Sequence, residues 1–101
     1  MDLLYWLNKW YKSNCNGDWE HCYGIKIETL DNPGWSFSID LMGTEAEDEI
    51  FNKIAITNSE NDWMFCKVEN NVFQADGDPD KLLKILETFK MWIEKVEKKE
   101  E

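Results

Sequence analysis

Hydrophobic positions along the chain change period twice, and the changes predict a helix, then strands, then a second helix. Leu3, Leu4, Leu7, Trp10 and Tyr11 share one broad stripe at helical spacing, with Asp2 placed to cap it, so a first helix is expected to about Lys12. Tyr5 and Trp6 widen the stripe beyond an ordinary amphipathic face. Asn16-Gly17-Asp18 then breaks it and opens a loop. Beyond the loop the period drops to two. Tyr23, Ile25 and Ile27 point one way, with Lys26 and Glu28 opposite; Trp35, Phe37, Ile39 and Leu41 alternate with Ser36, Ser38 and Asp40. Asp31-Asn32-Pro33-Gly34 between them has turn chemistry, so the pair reads as a hairpin with one apolar and one polar face.

Met42 to Asn52 is a connection carrying Glu45, Glu47, Asp48 and Glu49. Ile54 and Ile56 mark a third strand, and Ser59-Glu60-Asn61 turns into a fourth from Asp62 to Glu69. This fourth strand is apolar on both sides, with Met64, Cys66 and Val68 in one row and Trp63 and Phe65 in the other. After Asn70-Asn71, a short strand from Val72 to Ala75 completes a meander. The last helix has the strongest local signal: Asp78 at the N-cap, Pro79 at the first helical position and Asp80 in the first turn. Leu82, Ile85, Leu86, Phe89, Trp92, Ile93 and Val96 give it a core-facing stripe, and Lys95, Lys98 and Lys99 complement its C-terminus.

The expected fold class is therefore α+β: an N-terminal helix, a four- or five-stranded antiparallel meander sheet and a C-terminal helix, with both helices on one sheet face. Residues 1–101 read as one domain, fraying only at about 98–101. Aromatic content supports this. Six tryptophans and 43% hydrophobic residues supply a core that an acidic disordered chain lacks.

Charge excludes more than it assigns. Eleven lysines and no arginine stand against twenty-one acids, net −10, which opposes nucleic-acid binding because phosphates demand a cation surplus. Apolar runs fall far short of the ~20 residues that span a bilayer, so no membrane association is expected. The N-terminus carries no basic segment or cleavage site of a secretion signal, and three irregularly spaced cysteines do not form a disulfide framework. A reducing cytoplasm fits best.

No constellation commits the chain to chemistry. His21 and Cys22 are neighbours whose side chains diverge in a strand, and Cys15 and Cys66 have no spacing that demands a meeting with His21. Zinc would need two close ligand pairs that Cys15, His21, Cys22 and Cys66 do not provide. Asp76-Gly77-Asp78-Pro79-Asp80 imitates the start of a calcium loop, but Lys81 stands where its glycine belongs, and helix capping explains the aspartates. No cofactor is called for. A binding module is favoured over an enzyme.

Two features exceed the needs of folding: the acids Glu45, Glu47, Asp48 and Glu49, and the surplus aromatics Tyr5, Trp6, Trp63 and Phe65. Aromatic anchors in an acidic surround suit an interface with a basic protein. Residues 44–80 concentrate the charge, holding ten acids and two lysines. Charge reversal in the Glu45–Glu49 connection is accordingly expected to weaken binding of such a partner and its salt dependence.

The chain also resembles a known family. Trp10, Cys15-Asn16-Gly17-Asp18-Trp19-Glu20-His21 and the run from Tyr23 through Asn32-Pro33-Gly34-Trp35 are similar to the immunity protein 53 family of bacterial polymorphic toxin systems. Ser59-Glu60-Asn61-Asp62-Trp63, Gly77-Asp78-Pro79, Phe89 and Trp92 extend the resemblance to about Trp92. It implies a small cytoplasmic α+β protein, encoded beside a toxin, that binds and neutralises that toxin without chemistry of its own. Such toxins are often nucleases, whose basic substrate surfaces an acidic inhibitor can occupy. Site residues do not come with the family. The candidate partner contacts are Asp18, Trp19, Glu20 and His21, for their polar, aromatic loop, with Glu45, Glu47, Asp48, Glu49, Trp63 and Phe65. Two rival functions are a small thiol enzyme of the sulfur-transfer kind, and an acidic nucleic-acid mimic aimed at a DNA-binding protein.

Overall fold

A computed structural model describes residues 2–99. Helix α1 runs Leu3–Asn14, capped as expected: the Asp2 carboxylate accepts the N–H groups of Leu4 and Tyr5 at 3.0 and 3.5 Å. Ser13 and Asn14 donate back to the Trp10 carbonyl and carry the last turn past Lys12. The expected loop at 18–22 is instead a one-turn helix, α2 (Trp19–Cys22). Local capping drives it. Asn16 Oδ1 accepts from Asp18 and Trp19, while the Glu20 carboxylate gathers the N–H groups of Asn16 and Gly17.

Five strands follow: β1 (Ile25–Leu30), β2 (Gly34–Asp40), β3 (Ile54–Ser59), β4 (Asp62–Glu69) and β5 (Val72–Gly77). All neighbours are antiparallel, and the α+β class stands as read. The order differs from a simple meander, running β1-β2-β5-β4-β3. The hairpin β1–β2 and the run β3–β4–β5 are each sequential neighbours, and the connection 41–53 carries the chain from β2 to the far edge. Burial explains the choice. Phe37 and Ile39 on β2 lie opposite Ala75 and Phe73 on β5, and all four are buried, so these two strands share the centre. Ile54 and Ile56 are only half-buried, which suits β3 to an edge.

The last helix, α3 (Leu82–Lys99), starts three residues later than Pro79. Asp78 is not its N-cap. Its side chain is fully buried and closes the preceding turn, accepting Asp80 N–H on Oδ1 at 2.8 Å and Trp63 N–H on Oδ2 at 2.9 Å. Lys81 sits across it, 2.6 Å from Asp78 and 2.8 Å from Asp62. The lysine holds the Asp78 carboxyl down at about 2 and also lowers Asp62; Asp62 first, then Asp78, raises Lys81 in return. α3 continues through Lys99, and the last two residues of the expected frayed tail lie outside the described residues.

Both helices lie on the inner sheet face. Phe89 of α3 is the hub, with its ring centroid 5.1 Å from that of Trp10, 5.9 Å from Trp6 and 4.9 Å from Phe73. These edge-on and tilted rings join α1, α3 and the sheet centre in one aromatic core.

Candidate functional site

The Asp18-Trp19-Glu20-His21 segment divides into core and surface. Trp19 is buried at 3% exposure and sets its ring edge-on to Trp10 and Tyr11. Its indole nitrogen has no hydrogen-bond partner among the described residues. Trp19 thus anchors α2 on α1 and offers a partner little surface. Glu20 caps its own loop, and backbone N–H groups, its own first, hold its carboxyl below the usual range. Asp18 and His21 are exposed beside it.

The acidic connection is structurally occupied along its length. Glu45 accepts the indole N–H of buried Trp10 at 3.1 Å. Glu47 accepts Gly43 N–H at 2.7 Å, closing a turn at a residue with φ +81°. Asp48 and Asn71 clasp each other with two hydrogen bonds, 2.7 and 3.0 Å, and both have positive φ, which Asp and Asn tolerate better than most residues. Glu49 pairs with Lys99 at 3.0 Å. Each acid therefore fastens the long connection to a different element: α1, the connection itself, the β4–β5 turn and α3.

Trp63 and Phe65 project from the other side of the sheet, where no helix packs. Their rings lie 5.9 Å apart, and Phe65 is 40% exposed. Strand register builds a row across this open face: Glu28 opposite Ser36, Ser36 opposite Asp76, and Asp76 opposite Phe65. The next row sets Lys26 opposite Ser38, Ser38 opposite Gln74 and Gln74 opposite Lys67, and the row beyond it sets Asp40 opposite Val72 and Val72 opposite Glu69. Lys26 and Lys67 are the cations of the face, one near each side. The aromatic pair thus stands with Asp76 across from Phe65 and Lys67 next along β4, where Lys67 pairs with Glu69 at 3.7 Å. Asp76, which the sequence reading assigned to a calcium-loop imitation, belongs here. Its signal was available in the alternation of Phe73, Ala75 and Gly77, which points Gln74 and Asp76 outward.

The three thiols are separated. Cys66 is buried in the sheet, and burial pushes its thiol up to about 11, so it stays protonated at neutral pH. Cys15 Sγ is engaged with the Tyr11 carbonyl at 3.3 Å, and Cys22 ends α2 exposed. Among the described residues, no three His, Cys, Asp or Glu side chains are grouped as metal ligands. No helix there is long and apolar enough to cross a membrane.

Fold and surfaces together define a class: a small α+β protein with two helices on one face of a five-stranded antiparallel sheet and an open face on the other. Within that class the chain belongs to the immunity protein 53 family, whose model matches residues 4–94. Membership carries a role in toxin immunity, with a toxin as partner. No curated protein and no solved structure matches the chain.

Proposed function

We propose that this protein binds and neutralises one cognate toxin, a nuclease with a basic substrate-binding surface, by covering that surface in the cytoplasm of the producing cell. It performs no chemistry of its own. The observation that carries the reading is the open sheet face, where Phe65 and Trp63 stand beside Asp76, with Glu28, Asp40 and Glu69 further across the same face. Carboxylates steer a cationic partner and the aromatic pair supplies desolvated contact area once it arrives. The acids of the 45–49 connection add to the long-range field, but their side chains are engaged internally.

Co-expression tests this directly. The toxin encoded by the neighbouring gene is expected to arrest growth alone, to be tolerated beside this protein, and to co-purify with it. A toxin that remains lethal in the presence of folded protein would sink the proposal. Cleavage assays on the purified complex then separate the parts: loss of nuclease activity on binding is expected, and a bound toxin that still degrades nucleic acid excludes the blocking mechanism.

A further inference from the structure

A second surface lies on the opposite side of β3. The connection 49–54 and the outer flank of α3 enclose an open groove of about 700 Å³. Its walls are unusually apolar for a surface: Ile50 is 85% exposed and Met91 60%, with Phe51, Ile54 and Trp92 beneath them. Trp92 donates its indole N–H to the Ile50 carbonyl at 2.9 Å, so the connection is held open at a fixed distance from the helix.

The rim is cationic in an otherwise acidic protein. Lys84, Lys95 and Lys98 line it without ion-pair partners among the described residues, whereas Glu49 is taken by Lys99 and Glu94 by Lys90. Glu87 alone opposes them, leaving the unpaired rim two charges positive. These lysines occupy one flank of α3 from position 84 to 98, a length of roughly 21 Å at 1.5 Å per residue.

The groove opens onto a strand edge that is regular from Ile54 to Thr57 and shifts register only between Thr57 and Ser59. β3 is the last strand of the sheet, and Ile54-Ala55-Ile56-Thr57-Asn58-Ser59 contains neither a charge nor a proline. The opposite edge, β1, carries Lys26 and Glu28. Charged side chains and proline are the usual blocks to edge pairing, so the two edges differ in kind. A strand added at β3 would satisfy its free backbone groups and extend the open face that bears Trp63 and Phe65.

We infer that β3 and its flanking groove receive an extended segment of the toxin, paired by backbone to β3, with apolar side chains over Ile50 and Met91 and carboxylates at Lys84, Lys95 and Lys98. This rests on the toxin-binding reading and adds a second point of attachment to it. Charge selects the occupant. A second copy of this chain, paired β3 to β3 about a two-fold axis, would set two cationic rims side by side. An acidic and apolar strand matches the rim, and strand addition is a general mode of peptide capture.

The test uses the full-length protein and the purified toxin domain of the neighbouring gene, inactivated at its catalytic site. Titration calorimetry compares wild type with Lys84→Glu/Lys95→Glu/Lys98→Glu and with Ile50→Ser/Met91→Ser, each checked for a wild-type melting curve. Kd is expected to rise about tenfold or more in each variant, which corresponds to about 1.4 kcal/mol or more. Hydrogen exchange on the unmodified protein is expected to slow within Ile54–Ser59 when toxin is added. Unchanged affinity in both variants, or unslowed exchange across β3 in a formed complex, overturns the inference while leaving toxin binding intact. Protection of β3 in the free protein that scales with its concentration overturns it in favour of self-pairing. Absence of any complex with wild type brings down the toxin-binding reading itself, and this inference with it.

Discussion

Removing the Glu45 carboxylate should cost stability before it costs recognition. Trp10 is 5% exposed, and among the described residues Glu45 is the one partner its indole N–H has, at 3.1 Å. Glu45→Ala therefore strands a donor in the aromatic core beneath the connection. Hydrogen bonds to a charged group contribute about 1.5–3 kcal/mol. Glu45 itself is only half-buried, so water can reach part of the vacated site, and the lower end applies: about 1.5 kcal/mol. For a domain of this size that lowers Tm by roughly 6–12 °C. Urea unfolding followed by tryptophan fluorescence should show a lower midpoint at unchanged slope. A cycle with Trp10→Phe isolates the bond, since the phenyl ring keeps most of the packing and lacks the donor; a coupling of about 1 kcal/mol is expected. Stability within a few tenths of a kcal/mol of wild type in Glu45→Ala, with no coupling to Trp10, would refute the reasoning. A charge-reversal experiment across Glu45, Glu47, Asp48 and Glu49 therefore reports on folding as well as binding.

Three further outcomes follow from single groups. Asp78 titrates at about 2 when folded, against an ordinary value of about 3.9, so its contribution is complete above about pH 4 and is lost as pH falls towards 2; Lys81→Met should flatten that acid limb in urea titrations, and an unaltered limb would exclude the pairing as its source. Gly34 lies so close to the Gly77 carbonyl oxygen that a Cβ cannot fit, and Gly34→Ala should destabilise by about 1–3 kcal/mol; a neutral thermal shift would show that the two strands can part there. Under native conditions Cys22 should alkylate quickly and Cys66 only on unfolding, because one thiol is exposed and the other is buried and held protonated; mass spectrometry showing equal rates would contradict the packing of β4.

Much of this fold is written in local periodicity. The β1–β2 hairpin, the two-faced β4 and the core stripe of α3 follow from alternation or helical spacing alone, because those residues are buried by their own element's geometry. Strand order does not, because β5 pairs with β2 across a gap of more than thirty residues, and a period of two cannot say which neighbour a strand will take. Trp10 and Glu45, 35 positions apart, carried the same problem into the site: the acid looked free because its donor is remote in sequence. Asp78 misled in the other direction. Asp-Pro before an apolar stripe is a strong helix start, yet Lys81 and the Trp63 N–H recruit the carboxylate into the turn and delay α3. Trp63 and Phe65 were legible as excess, since two outward aromatics on one strand exceed what a core can use. Asp76 beside them appears only with the register.

The most direct test of toxin capture by the open sheet face is the affinity for the catalytically inactivated toxin domain, measured by titration calorimetry for wild type, Phe65→Ala and Asp76→Lys at low and physiological salt. Wild type should bind tightly, each variant should weaken binding by roughly tenfold or more at unchanged Tm, and Asp76→Lys should lose part of the salt dependence. Tight binding that neither substitution disturbs would contradict capture by this face, and no binding by wild type would contradict the toxin as partner.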